Sequence, residues 1–204
     1  MAPDYKLIYF NARGRAEHIR FIFAYAGVDY VDERITQEEW EEYKKRTPFG
    51  MVPVLEVEGH TISQSNAIAR YLAKKHNLAG KNDWESLECD ILVDTLSDLK
   101  QALSHYRGEC DSFKKEEKKM TLMKETIPFY MEKFEATLNE NKGFSVGESV
   151  TWTDFVFASS LENFECIFGK KALDRYPSLK ALKEKVFNLP GIKEWVERRP
   201  ITDF

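Results

Sequence analysis

Nine consecutive residues, Tyr9-Phe10-Asn11-Ala12-Arg13-Gly14-Arg15-Ala16-Glu17, set a phenol, two guanidiniums and a turn glycine where a short apolar strand gives way to a helix. The first turn of a helix carries N–H groups without internal partners, so such a junction is a place where proteins bind anions. A phenol there can donate a hydrogen bond to a bound small thiol and turn it into a thiolate. A hydrogen bond to a charged partner contributes about 1.5–3 kcal/mol. At ~1.36 kcal/mol per pKa unit, one such bond lowers a thiol of pKa ~8.5 by about one to two units. The competing reading of Tyr9 is a cross-strand aromatic in a small sheet. Both readings stand on the residues alone.

Four further groups could carry chemistry or merely build the fold. Val52-Pro53 opens a strand after a glycine-containing turn. A cis bond there would turn the Val52 backbone outward, to pair with a peptide-like ligand as an added strand; the plain reading is an edge-strand proline. Gln64-Ser65 begins a helix, so Ser65 reads as an N-cap, and the same helix end could hold a carboxylate. Asp90, Asp94 and Asp98 recur at i, i+4 and i+8, where like charges are mildly destabilising unless solvent or a cation neutralises them. Leu87, Ile91 and Leu92 flank that stripe and suit an interface. Thr151-Trp152-Thr153-Asp154 resembles a capping box and belongs to folding.

The elements that must position these residues fall into two runs. Residues 5–10 read as a strand, 16–26 as a helix stopped by Gly27, 30–35 as a second strand, and Thr36 starts a helix toward Lys45. Val54–Val57 and Thr61–Ser63, joined by Glu58-Gly59, form a hairpin, and a helix runs from Ser65 to Lys75. This β-α-β-α-β-β-α order predicts a thioredoxin-like α/β unit over residues 1–77. Residues 78–83 read as a linker. Residues 84–204 read as all-helical, with helices at 84–106, 114–140 (with Pro128 as a kink or entry point), 152–166, 178–189 and 191–198.

Composition narrows the function further. A net charge of −4 argues against broad binding to a nucleic-acid backbone. No apolar stretch reaches the roughly 20 residues of a membrane span. Met1 leads straight into strand-like sequence, so no secretory signal is expected. Cys89, Cys110 and Cys166 are widely spaced with no CxxC pair, which makes the reducing cytosol the expected compartment and leaves no structural zinc set. His18, His60, His76 and His105 have no ligand spacing. Residues 11–15 contain no cysteine, so thioredoxin-type redox chemistry is excluded.

Taken in order, Tyr5–Asn11, Arg13–Glu17, Pro48-Phe49-Gly50, Val52–Leu55, Gln64-Ser65, Ala67–Leu72, Val150–Phe155 and Arg198-Arg199-Pro200 resemble the cytosolic glutathione transferases of the sigma class. That group includes invertebrate transferases, haematopoietic-type prostaglandin D synthases and S-crystallins. The resemblance implies a cytoplasmic homodimer that takes glutathione as co-substrate, needs no metal and binds hydrophobic electrophiles.

By that resemblance Tyr9 would stabilise the thiolate and Arg15 would orient it or the electrophile. Trp40 and Lys44 would hold the glycine end, Val52 the cysteinyl unit, and Gln64 and Ser65 the γ-glutamyl carboxylate. Asp98 of the partner subunit would reach the γ-glutamyl ammonium. Phe10, Ala12, Gly14, Leu99, His105, Val156, Ser160 and Phe204 would line the acceptor pocket.

Departures from the family matter. Met51 stands where several members carry a polar or basic residue. Ser97 stands where the vertebrate synthases carry an aspartate of a metal-sensitive cluster, and Val156 and His105 replace their Tyr and Trp. The implied activity is thiolate addition to aryl halides and lipid-peroxidation aldehydes. The alternatives are prostaglandin D synthase activity, or a crystallin-like structural role.

Overall fold

A computed structural model describes residues 4–202, and its element order follows the sequence closely. Strand β1 (Tyr5–Phe10) leads through a short 3-10 turn (Gly14–Ala16) into α1 (Glu17–Ala26), then β2 (Val31–Ile35) and α2 (Gln37–Arg46). Strands β3 (Val54–Val57) and β4 (His60–Ser63) form the hairpin, followed by α3 (Ser65–Lys75). The sheet order is β2-β1-β3-β4, with β1 parallel to β2 and the other pairs antiparallel. A helix crossing between β1 and β2 is what a parallel pair requires.

Local chemistry sets the element ends. Gly27 closes α1 in the left-handed conformation at φ 64°. Thr36 and Glu39 cap α2 reciprocally: the Glu39 N–H donates to the Thr36 hydroxyl oxygen, and the Thr36 N–H donates to the Glu39 carboxylate. The Ser65 N-cap expectation needs correction. The cap position falls on Gln64, Ser65 is the first helical residue, and no side chain caps α3.

The helical half comprises α4 (Asp83–Arg107), α5 (Ser112–Thr121), α6 (Ile127–Glu140), α7 (Trp152–Phe168), α8 (Pro177–Phe187) and α9 (Ile192–Arg198). The single helix expected over 114–140 is helical throughout, but one π turn, Leu122–Thr126, separates α5 from α6. Pro128 has no N–H to give the carbonyl four residues back, and its ring crowds that carbonyl, so the preceding turn widens. Segment 78–82 is fastened: Leu78 and Ala79 are buried, and the Leu78 carbonyl accepts from the Trp152 N–H at 2.9 Å.

Helix α7 is the central pillar, packed against α1, α3, α4 and α8. Its Phe155, Val156, Phe157 and Leu161 join Leu7, Ile19, Leu55 and Ile68 in one continuous core. At its start the buried Asp154 accepts from the N–H groups of Ser145 at 2.8 Å and Thr151 at 2.7 Å. Among the described residues no helix is long and apolar enough to cross a membrane.

Candidate active site

The register brings the candidate residues to one edge of the sheet. Phe10 is level with Ile35, Ile8 with Val54, and Val54 with Ser63. The ends of β1, β2 and β4 and the start of β3 therefore meet there, and the chain leaves them through residues 11–15, α2, Val52-Pro53 and Gln64-Ser65. The Val52–Pro53 bond is cis.

Tyr9 is half-buried at the end of β1, and its Oη accepts a hydrogen bond from the Arg15 N–H at 3.2 Å. Gly14, at φ 41°, sits under the ring: a Cβ at that position would lie 2.6 Å from the Tyr9 Oη. Only glycine fits so close, and its backbone angle suits glycine too. The Phe10 ring packs edge-on against Trp40 at 5.6 Å and against Tyr9 at 5.8 Å. Lys44 is exposed and runs alongside Gly50. Gln64 holds φ 73°, ψ 107°, a region non-glycine side chains rarely occupy, and such positions cluster at functional sites. With no side-chain cap on α3, the first-turn N–H groups beside Gln64 and Ser65 are left for an anion.

A buried ionic frame holds the 11–15 loop, and it was largely absent from the sequence reading. Arg20 is fully buried on α1; its Nη1 donates to the Ala12 carbonyl at 2.8 Å and pairs with Glu17 at 3.0 Å, while its Nε pairs with Asp32 at 3.1 Å. Glu17 also accepts from Trp195 Nε1 at 2.9 Å and Arg199 Nη1 at 2.7 Å. Burial works to raise the Glu17 carboxyl, but the Arg20 and Arg199 guanidiniums and the bonds from Arg199 and Trp195 hold it below the usual carboxylate range. Arg13 pairs with Glu162 at 2.9 Å and donates to the Thr202 carbonyl at 3.2 Å. Arg13 and Glu17 thus hold the loop and the ends of the helices around it. The signal for Arg20 was a charge at an apolar helical position, since Ala16, Ile19, Arg20 and Phe23 share a face.

The acidic stripe of α4 divides. Asp90 is met within the chain by Arg70 at 2.6 Å, whereas Asp94 and Asp98 stay exposed. Ser97 is engaged by Asn66 of α3 at 3.4 Å. Among the described residues no group of three or more His, Cys, Asp or Glu side chains could hold a metal ion.

The acceptor candidates are only partly assembled. Phe10, Ala12 and Gly14 are half-buried along the loop. Leu99 and Val156 are buried in the core, and the half-buried Ser160 donates its hydroxyl to the Val156 carbonyl. His105 is exposed and lines a cavity of about 480 Å3 between α4 and α5, with Ala102, Tyr106 and Leu122, that none of the others lines. Phe204 lies outside the described residues.

Known proteins match this arrangement along the chain. Residues 5–74 match the glutathione S-transferase N-terminal domain and residues 97–199 the C-terminal domain. Glutathione S-transferase S1 of Drosophila melanogaster is 40% identical over 98% of this chain and 80% of its own length. The haematopoietic prostaglandin D synthase of Homo sapiens is 41% identical over 98% of both chains. The solved structure of prostaglandin synthase D of Nilaparvata lugens superposes with a TM-score of 0.93 at 44% identity, over 98% of this chain and 100% of that one. With both halves of the family present and relatives above 40% identity along almost the whole chain, this protein belongs to the glutathione S-transferase family and is a glutathione transferase.

Proposed function

We propose that this chain is a sigma-class, cytoplasmic, homodimeric glutathione transferase in which Tyr9 stabilises the glutathione thiolate for attack on hydrophobic electrophiles. The observation that carries the reading is the Arg15 N–H donating to the Tyr9 Oη. A phenol oxygen that already accepts a bond is fixed in direction, and its own hydrogen is left to donate outward. Accepting that bond also polarises the hydroxyl, which strengthens it as a donor.

The other roles follow the sheet edge. Arg15 flanks the sulfur. Trp40 and Lys44 take the glycine carboxylate, and the Val52 backbone pairs with the cysteinyl unit. Gln64, Ser65 and the uncapped N-terminus of α3 take the γ-glutamyl carboxylate, while Asp98 of a second subunit takes the ammonium. The reaction uses no metal. Residues 1–77 then act as the glutathione-binding domain, 78–83 as the connection, and 84–204 as the domain that supplies the acceptor side and the dimer interface. Trp84, Leu87 and Ile91 support that interface: all are exposed, and they recur at i, i+3 and i+7 on the helix that bears Asp98.

The test is Tyr9→Phe. Its pH–rate profile with 1-chloro-2,4-dinitrobenzene should shift to higher pH by about one to two units with the melting temperature preserved. An unshifted profile would refute the assignment. A second reading, glutathione-dependent isomerisation of a prostaglandin endoperoxide, draws on relatives that bear the synthase name. Product analysis decides it.

A further inference from the structure

Strand β2 carries a carboxylate that reaches the nucleophile's loop through two arginines. Asp32 and Arg34 lie two residues apart and therefore on one face of β2, with Arg34 level with Tyr9 of β1. The two oxygens of Asp32 are divided between two guanidiniums: Oδ1 accepts from Arg20 Nε at 3.1 Å, and Oδ2 accepts from Arg34 Nε at 2.9 Å. Each arginine turns a further nitrogen to the loop between Tyr9 and Arg15. Arg20 Nη1 donates to the Ala12 carbonyl at 2.8 Å, and Arg34 Nη1 donates to Asn11 Oδ1 at 3.0 Å. The Arg20 guanidinium also lies over the Tyr9 ring, 6.0 Å from its centroid.

A guanidinium is a rigid planar fork, so a carboxylate that holds one edge aims the other. Asp32 thus aims two forks at two consecutive residues of one loop. Arg20 is fully buried and Asp32 and Arg34 are half-buried, where solvent ions screen such pairs little. The same loop is closed by the Arg15 N–H bond to the Tyr9 Oη, which at 3.2 Å is at the long end for such a bond. Movement of Asn11 and Ala12 would carry Gly14 and Arg15 with it, and the bond has no length to give.

We propose that Asp32 is a positioning residue for the thiolate step: by orienting Arg20 and Arg34 it fixes Asn11 and Ala12, and through them the bond that directs the Tyr9 hydroxyl at the sulfur. The inference rests on the thiolate reading of Tyr9 and adds to it a residue of the neighbouring strand that acts through the loop. An ion-pair cluster that only stabilised the fold would lower the melting temperature and leave the pH dependence of turnover in place. A cluster that aims the phenol moves both, and the second effect vanishes once the phenol is gone.

The experiment is a pH–rate series with glutathione and 1-chloro-2,4-dinitrobenzene on Asp32→Asn, alone and combined with Tyr9→Phe, at a temperature where melting curves show each variant folded. Glu33→Gln is the control: it removes the next carboxylate of β2, on the opposite face, where it pairs with Lys6 at 2.9 Å. Asp32→Asn should move the profile up by about half to one pH unit, a fall of about three- to tenfold in kcat/KM on its acid limb, and Glu33→Gln should leave it in place. Combined with Tyr9→Phe, Asp32→Asn should add no further shift. An unmoved profile in Asp32→Asn, or an equal shift with and without the phenol, overturns the inference. If Asp32→Asn does not fold, Asn11→Ala decides by the same two criteria, because it cuts the clamp at an exposed side chain and leaves the buried pairs intact. A Tyr9→Phe profile that coincides with wild type removes the thiolate reading and this inference together; a shift in Tyr9→Phe with none in Asp32→Asn removes this inference only.

Discussion

Replacing Gly14 with alanine tests the geometry of the nucleophile's partner. An added Cβ would lie 2.6 Å from the Tyr9 Oη and 3.1 and 3.2 Å from two ring carbons. Contact between carbon and oxygen needs roughly 0.9 Å more than that, given optimal separations of about 3.5 Å between non-bonded atoms. The phenol must therefore swing away. Its bond from the Arg15 N–H, already 3.2 Å long, has no slack to absorb the move. The backbone at φ 41° adds about 1–2 kcal/mol of strain for a residue with a Cβ.

If the phenol is lost to the thiolate, about 1.5–3 kcal/mol of stabilisation goes with it. That is roughly a 10- to 150-fold fall in kcat/KM, with the profile moved to higher pH by about one to two units. The assay is a pH–rate series on Gly14→Ala, Tyr9→Phe and the double variant, with melting curves as a fold control. Because both single changes remove the same bond, the double variant should be no slower than Tyr9→Phe. Full additivity of the two losses would refute the argument that Gly14 acts through Tyr9.

Two further outcomes follow from buried charge and exposed apolar surface. Glu17→Gln leaves Arg20 and Arg199 without their carboxylate and should cost about 3–5 kcal/mol, or a melting temperature about 10 °C lower at pH 7. The folded Glu17 carboxyl lies below its unfolded value, so its contribution is present above pH ~4.3 and is lost as pH falls through the folded value. The gap between wild type and variant should therefore narrow on acidification, and a gap that is constant with pH would count against the ion pairs. Ile91→Glu, on the exposed face of α4, should shift sedimentation to a monomer and raise KM for glutathione; an intact dimer would remove α4 from the interface.

The nucleophile's half of the site was legible because it is local. Tyr9, Gly14 and Arg15 lie in one strand-to-helix passage, and hairpin and helix signals bracket Val52-Pro53 and Gln64-Ser65. Strand alternation and the caps of α1 and α2 could be read from neighbours in sequence, and the register then carried those residues to one edge. The acceptor's half depends on how distant helices meet. Leu99 and Val156 are apolar residues that periodicity cannot separate into core and pocket lining, and both are buried. Ser65 shows a finer limit: composition favours an N-cap serine, but the unusual backbone of Gln64 shifts the helix boundary by one residue. Arg20 carries a quieter signal, a charge in phase with the apolar stripe of Ala16, Ile19 and Phe23.

The ionic frame around Glu17 bears on what that misplaced charge is for. A buried ion pair is weak evidence for stability, since well-packed apolar groups of the same volume often do as well or better. An apolar side chain in place of Arg20, however, could not hold the Ala12 carbonyl, and none in place of Arg199 could join Glu17 to Glu162. The loop that carries Gly14 and Arg15 is therefore bonded at Ala12 by α1 and at Arg13 by α7, while Arg199, the residue after α9, ties both anchors together. Directional bonds fix a loop's position where apolar contacts would let it slide. On this reasoning Glu17→Gln should reduce turnover by more than its loss of stability explains, at temperatures where the variant remains fully folded. Turnover that stays at the wild-type level under those conditions would mean that the frame only stabilises the fold.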